Sequence, residues 1–220
     1  MSVLFTLLFS LAPVLGYFEY LQLVLQWPTT FCHTKPCPTW PPPNNFTIHG
    51  LWPDSKGKML NDCGSGDDYD DIPDAHMRKQ LESDWPNLTS RAGEIKKYQE
   101  FWGYEFNKHG TCSMDRYNQD QYFELALKLK NQFDLLNILR NHGIIPGKTC
   151  TVKDVEDAIK AVTAHVPNLN CIVRSSQRSS HIMELLEIGI CFDREATQMI
   201  DCRRRWKSHP DINQPITLPR

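Results

Sequence analysis

The 220-residue sequence predicts an α+β domain, a central antiparallel sheet with flanking helices, stabilised by disulfides. Three observations lead there. Period-two alternation near the start gives way to helical spacing and returns late, without the regular strand–helix alternation that builds parallel sheets. The eight cysteines form an even set. Met1 to Gly16 is an uncharged apolar run, too short for a membrane span, which reads as a signal peptide cleaved after Gly16. Such a leader implies a secreted, extracellular protein, and in that compartment an even cysteine set is bridged rather than free. Residues 17–220 are then one domain, undivided by any repeat or linker. No later stretch is apolar enough to enter a membrane.

Glu19 to Trp27 alternates, with Leu21, Leu23, Leu25 and Trp27 on one face and Tyr20, Gln22, Val24 and Gln26 on the other, a half-buried strand. Pro28 to Asn45, containing Pro41-Pro42-Pro43, reads as a Pro- and Cys-rich loop. Phe46 to Leu51 is extended, with Phe46 and Ile48 on one face and Thr47 and His49 on the other. The polar, Gly/Asp-rich stretch Asp54 to Asp74 is a surface loop. Helical spacing follows at His76 to Leu81 and Ile95 to Lys108. Tyr122 to Leu139 is an amphipathic helix or a broken pair, with Gly143 placed to stop it in a left-handed conformation. Thr151-Val152-Lys153-Asp154 has the pattern of a capping box opening a helix through Val155, Ile159 and Val162. Met183 to Phe192 is a strand.

Charge is nearly balanced, 24 basic against 26 acidic residues, a net −2. That excludes binding nucleic acid through a strong global field; a cleft with a few cations and a stacking surface would have to do it locally. The charges are segregated. Asp62, Asp67, Asp68, Asp70, Asp71 and Asp74 crowd one loop and Arg203, Arg204, Arg205 and Lys207 the tail, each read as solvated. Asn45-Phe46-Thr47 and Asn87-Leu88-Thr89 are glycan acceptor triplets.

The segment from Phe101 to Cys112 carries the chemistry. On a helix, Glu105, Lys108 and His109 stand at i, i+3 and i+4 and share a face, bringing a carboxyl, an ammonium and an imidazole to one substrate group. Gly110 allows a sharp exit and Cys112 a covalent anchor. Breaking an RNA phosphodiester needs a base for the ribose 2′-OH proton, an acid for the 5′-oxygen, and positive charge for the phosphorane. Histidine serves both transfers because it titrates near working pH, and a lysine can hold the phosphate oxygens. Two other readings stand beside this one. His109 and Cys112 with Cys32, His33 and Cys37 could hold zinc, although secretory cysteines favour bridges. A Ser-His-Asp hydrolase lacks its Gly-x-Ser-x-Gly elbow. From periodicity alone, a lone histidine on a polar strand face is more often structural than catalytic.

Phe46-Thr47-Ile48-His49-Gly50-Leu51-Trp52-Pro53 and Phe101 through Cys112 resemble the two active-site motifs of the T2 family of secreted ribonucleases. The resemblance runs from Gln26-Trp27-Pro28 to Gly189-Ile190-Cys191-Phe192. It is closest to the stylar self-incompatibility ribonucleases of nightshade-family plants, which share segments like Phe18 to Pro28. It implies a metal-free, cofactor-free endoribonuclease acting on single-stranded RNA, giving 2′,3′-cyclic phosphates and then 3′-phosphates. His109 would be the general base and His49 the general acid, with Glu105 and Lys108 stabilising the transition state. Trp52 matches the base-stacking position, and Asp54 falls where some members contact adenine. The resemblance pairs Cys32 with Cys37, Cys63 with Cys112, and Cys191 with Cys202. For a stylar enzyme it also implies pollen F-box partners at a variable loop, Lys56 to Leu81. A monomer is expected.

The chain departs from the family pattern in places. Many members have a third histidine just before the motif glutamate; here stands Tyr104, able to donate a hydrogen bond to phosphate but not to carry positive charge. Reduced activity is expected. Cys171 in the family pairs with a late cysteine, near whose place this chain has Ser208, leaving Cys150 as its partner if the intervening helix allows. The basic tail is unusual, and relatives tend to be more basic overall. A role outside self-incompatibility, in defence or phosphate scavenging, and a catalytically idle binding glycoprotein are the rival readings.

Overall fold

A computed structural model describes residues 17–39, 41–66, 68–173, 183–203 and 205–220; the expected leader, Met1 to Gly16, lies outside them. The strands are β1 (Tyr20–Gln26), β2 (Thr47–Asp54), β3 (Thr149–Thr151), β4 (Asn168–Ile172), β5 (Met183–Asp193), β6 (Met199–Ile200) and β7 (Pro215–Thr217). The helices are α1 (Pro28–Thr34), α2 (Ala75–Asp84), α3 (Ile95–Lys108), α4 (Gln119–Lys130), α5 (Leu135–Asn141) and α6 (Val152–Thr163), with a 3₁₀ turn at Gly110–Ser113 after α3. The strands form one sheet in the order β2-β1-β5-β7-β3, with β4 and β6 also paired to β5. The ladders are antiparallel except the short β5–β7 pairing. The predicted α+β class holds.

β1 is not half-buried; each of its seven residues is buried. Leu21, Leu23 and Leu25 enter the main core, and the opposite face is covered too. There Tyr20 packs on the Cys191–Cys202 bridge and the Gln22 side chain accepts from Asn168 Nδ2 at 2.5 Å. Part of the expected loop after Trp27 is helical instead. Pro28 begins α1, where its fixed φ suits the first turn and its missing N–H costs nothing. Cys32 and Cys37 are bonded just beyond.

Elsewhere local chemistry sets the helices as read. Asp74 caps α2, accepting from Met77 N at 2.6 Å. The broken pair forms as α4 and α5, opened by a capping box at Asn118–Gln121 and by Asp134. Gly143 follows α5 with φ +80°, as a left-handed stop requires. Both capping-box bonds between Thr151 and Asp154 are made. Val155 and Ile159 are buried but Val162 is 53% exposed, and Thr163 is the last inward residue of α6.

Two features tie the chemistry-bearing segments together. The Cys63–Cys112 bridge joins the loop after β2 to the 3₁₀ turn, and Asp62 N donates to Lys108 O at 2.8 Å. Around α3, Trp102 and Phe106 are fully buried among Trp85, Tyr122 and Phe123, aromatic packing that fixes where the helix ends.

The fourth bridge does not form: Cys150 and Cys171 are both free. Cys150 on β3 and Cys171 on β4 are separated by β7 and β5. The tail near Ser208 is held by polar contacts instead, one of them an ion pair. Glu156 of α6 meets His209 Nε2 at 3.1 Å and Arg205 at 3.2 Å, while His209 Nδ1 accepts from Leu169 N. Arg205 is therefore not simply solvated. The acidic loop is also partly structural, since Asp68 accepts from Ser65 N and Oγ. Asp67 and Arg204 lie outside the described residues.

Candidate active site

His49 owes its position to a bulge. Leu25 pairs with Ile48 and Val24 with Gly50, so His49 is the extra residue of β2. Strict alternation would put His49 and Trp52, three apart, on opposite faces. The bulge brings both to the face of Gln22 and Val24, a common use of bulges beside reactive centres. The strand's carbonyls are clamped there: Trp85 Nε1 donates to His49 O at 2.8 Å and Tyr122 OH to Leu51 O at 2.7 Å.

His109 arrives from the other side, at the end of α3, its N–H bonded to Glu105 O at 2.9 Å. Trp52 joins the two histidines. Its indole stacks on His109 with centroids 5.1 Å apart and meets His49 edge-on at 5.4 Å. Gly50 makes the room: a Cβ there would lie 2.3 Å from Trp52 Nε1 and 2.9 Å from Glu105 Oε2.

The imidazoles are driven apart electrostatically. Burial, with Lys108 and His49 adding positive charge, pushes His109 down to about 3, so it is neutral over most of the pH range. His49 is pulled down by burial, but a hydrogen bond and ion pair with Glu187, helped by Glu105 and opposed by Lys108, hold it above its ordinary value. Burial raises Glu105, against His49 and Lys108. Lys108 Nζ donates to Tyr104 OH at 3.1 Å, and Tyr104 is 58% exposed. The four residues expected to carry the chemistry, His49, Glu105, Lys108 and His109, thus converge, with Trp52 among them and Tyr104 on the rim.

Asp54 does not join them. It shares the face of Trp52 but is only 2% exposed, accepting from Tyr20 OH at 3.1 Å and from Ser55 N at 2.9 Å. Those bonds hold its carboxylate inside the fold, whereas the expected adenine contact needs it at the surface. The zinc set fails as well, because Cys32, Cys37 and Cys112 are all in disulfides. Of the acceptor asparagines, Asn45 is exposed, whereas Asn87 is half-buried with its amide donating to Lys97 O at 3.1 Å.

Sequence reasoning missed two residues. Glu187 lies under His49, with Oε1 2.5 Å from Nδ1. Its signal was an acid in the middle of a strand, on the face of Gln26. Trp206, from the tail read only as basic, leans on Trp52 at 5.9 Å and lies over Gly189, where a Cβ would come within 3.0 Å of it. An indole within a run of cations was the available clue.

Two imidazoles shifted in opposite directions and joined by an indole, with an ammonium and a buried carboxyl alongside, define a general acid–base site. The sequence model of the Ribonuclease T2 family matches residues 18–202. Ribonuclease S-7 of Nicotiana alata is 48% identical over 220 residues, covering 99% of this chain and 97% of that protein. The crystal structure of the SF11-RNase of Nicotiana alata, associated with gametophytic self-incompatibility, superposes with a TM-score of 0.83 at 40% identity, covering 92% of this chain and 100% of that one. A mutant of RNase MC1 in complex with 5′-UMP superposes with a TM-score of 0.77 at 31% identity, covering 92% and 99%. The chain belongs to the ribonuclease T2 family and is a T2-type endoribonuclease.

Proposed function

We propose that this enzyme cleaves single-stranded RNA by transphosphorylation. His109, neutral, takes the 2′-OH proton; the 2′-oxygen bonds to phosphorus as the P–O5′ bond breaks; His49, cationic, protonates the departing 5′-oxygen. The product is a 2′,3′-cyclic phosphate, which water then opens slowly to a 3′-phosphate with the proton roles reversed. Lys108 and Glu105 stabilise charge on the phosphorane, and Tyr104 on the rim donates to phosphate. No metal or cofactor takes part. The observation that carries this reading is the opposite displacement of the two histidines on either side of Trp52. With a net charge of −2, substrate binding rests on local contacts, stacking at Trp52 among them. One side of that indole is occupied by His109, so a base stacks on what remains beside Trp206.

The test is an assay of the purified protein on single-stranded RNA in strong chelator, with the product ends identified. Cyclic 2′,3′ ends are expected; 5′-phosphate products or a need for metal would overturn the reading.

The same proposal extends to biology. Residues 17–220 form a secreted, extracellular monomer, released by cleavage after Gly16 and glycosylated at Asn45 and Asn87. Identity of 48% over nearly the full length to Ribonuclease S-7 supports a stylar self-incompatibility enzyme meeting F-box partners through the Lys56 to Leu81 region. Near-neutral charge and Ser208 in place of a late cysteine favour a second reading, a relative serving defence or phosphate scavenging. Style-restricted, allele-polymorphic expression supports the first, and its absence the second. Among the described residues no helix is long and apolar enough to cross a membrane.

A further inference from the structure

We infer that Glu187 is a positioning residue for His49: it accepts the Nδ1 proton, fixes the ring with Nε2 turned to the substrate, and keeps the imidazole charged until it donates. This rests on the acid–base reading above. Glu187 sits on β5 opposite Gln26, which in turn pairs with Thr47, two residues before His49, so β1 lies between the strands of acid and imidazole. Its carboxylate is nearly buried and both oxygens are engaged. Oε1 is 2.5 Å from His49 Nδ1, and Oε2 accepts from Asn170 Nδ2 at 2.7 Å. Asn170 is its cross-strand neighbour on β4, so side chains from β4 and β2 hold the carboxylate of β5.

A buried carboxylate is costly unless it is paired and hydrogen-bonded. Asn170 supplies a neutral donor, and the cation within bonding distance is protonated His49. The pair therefore favours the proton on His49 with Glu187 ionised. The other charged groups that act on His49 come from α3: Glu105 supports the cation and Lys108 opposes it, while the neutral His109 adds no charge. β5 also provides an internal contrast. Glu184 pairs with His33 Nδ1 at 2.6 Å, a similar bond between α1 and β5 that involves neither Trp52 nor His109.

The experiment compares two substrates. A dinucleoside monophosphate expels a 5′-alkoxide that needs a proton, whereas uridine 3′-(4-nitrophenyl phosphate) expels a phenolate that does not. His49→Ala should lose about 10²–10⁴-fold on the first, the usual contribution of a general acid, and far less on the second. Glu187→Gln should show the same selectivity at smaller amplitude, about 10–100-fold on the dinucleotide. Its alkaline limb in kcat/KM should move to lower pH. Asn170→Ala, which keeps the carboxylate but frees it, should show the same selectivity more weakly and covers the case in which Glu187→Gln does not fold. Glu184→Gln should lower the melting temperature without selectivity. Equal losses on both substrates in Glu187→Gln and Asn170→Ala, with His49→Ala selective, would make Glu187 merely structural and overturn the inference. Equal losses in His49→Ala would overturn the acid assignment itself, and the inference with it.

Discussion

Trp52 stacks on His109 at an interplanar angle of 28°, with the imidazole itself only 4% exposed. Burial, with Lys108 and His49 nearby, disfavours a proton on His109, while the bond to Glu187 favours one on His49.

The pH profile follows from that pairing. The base must be neutral, so kcat/KM rises as pH increases through the His109 value of about 3. The acid must be protonated, so activity falls as pH increases through the His49 value, which is raised above 6.5. A broad optimum on the acidic side of neutrality is expected for dinucleotide cleavage. An ascending limb centred near 6.5 would show that burial does not depress His109 in the free enzyme.

Removal of either imidazole should abolish nearly all cleavage. His49→Ala and His109→Ala are each expected to lower kcat by about 10²–10⁴-fold, with the circular dichroism of the folded enzyme retained. A folded variant keeping half of the activity would eliminate that histidine as a catalytic residue.

Gly50 tests the closeness of the cleft. In Gly50→Ala the new methyl must displace Trp52 Nε1, 2.3 Å away, or Glu105 Oε2, 2.9 Å away. Overpacking of this kind costs about 1–3 kcal/mol, and misplacing the indole should lower kcat more than it raises KM. Unchanged kinetics would show that the indole and carboxyl can shift freely.

Cys63 and Cys112, 49 residues apart, anchor the end of α3. A Cys63→Ser/Cys112→Ser double variant should lose about 2–5 kcal/mol of stability, measured by denaturant unfolding. Activity should fall before global unfolding, because His109 lies three residues from the bridge.

The helical parts of this fold were legible because their signals are local. The capping box at Thr151, the stop at Gly143 and the spacing from Ile95 to Lys108 each lie within a few residues and act where they stand. The convergence of His49 with His109 was not local, and only the motif resemblance joined them. Glu187 and Trp206 were missed for the same reason, since their meaning depends on cross-strand pairing and on where the tail folds back. α1 was hidden by its β-branched threonines, although Pro28 is a good first-turn residue. Asp54 is the reverse case: at a position carried over from relatives, the carboxylate is engaged here by the Tyr20 hydroxyl. Cys150 and Cys171 looked pairable until the strand order separated them.

The extra residue in β2 makes chain length, as much as composition, a condition for catalysis. His49 and Trp52 are an odd number of residues apart and still face the same way. Grafting this histidine and tryptophan onto a regular hairpin at the same spacing would turn one of them into the core. Inserting or deleting one residue between them would do the same here, even with each side chain unaltered. Homologous exchange of the motif should therefore succeed only as a block that keeps the count from Thr47 to Asp54.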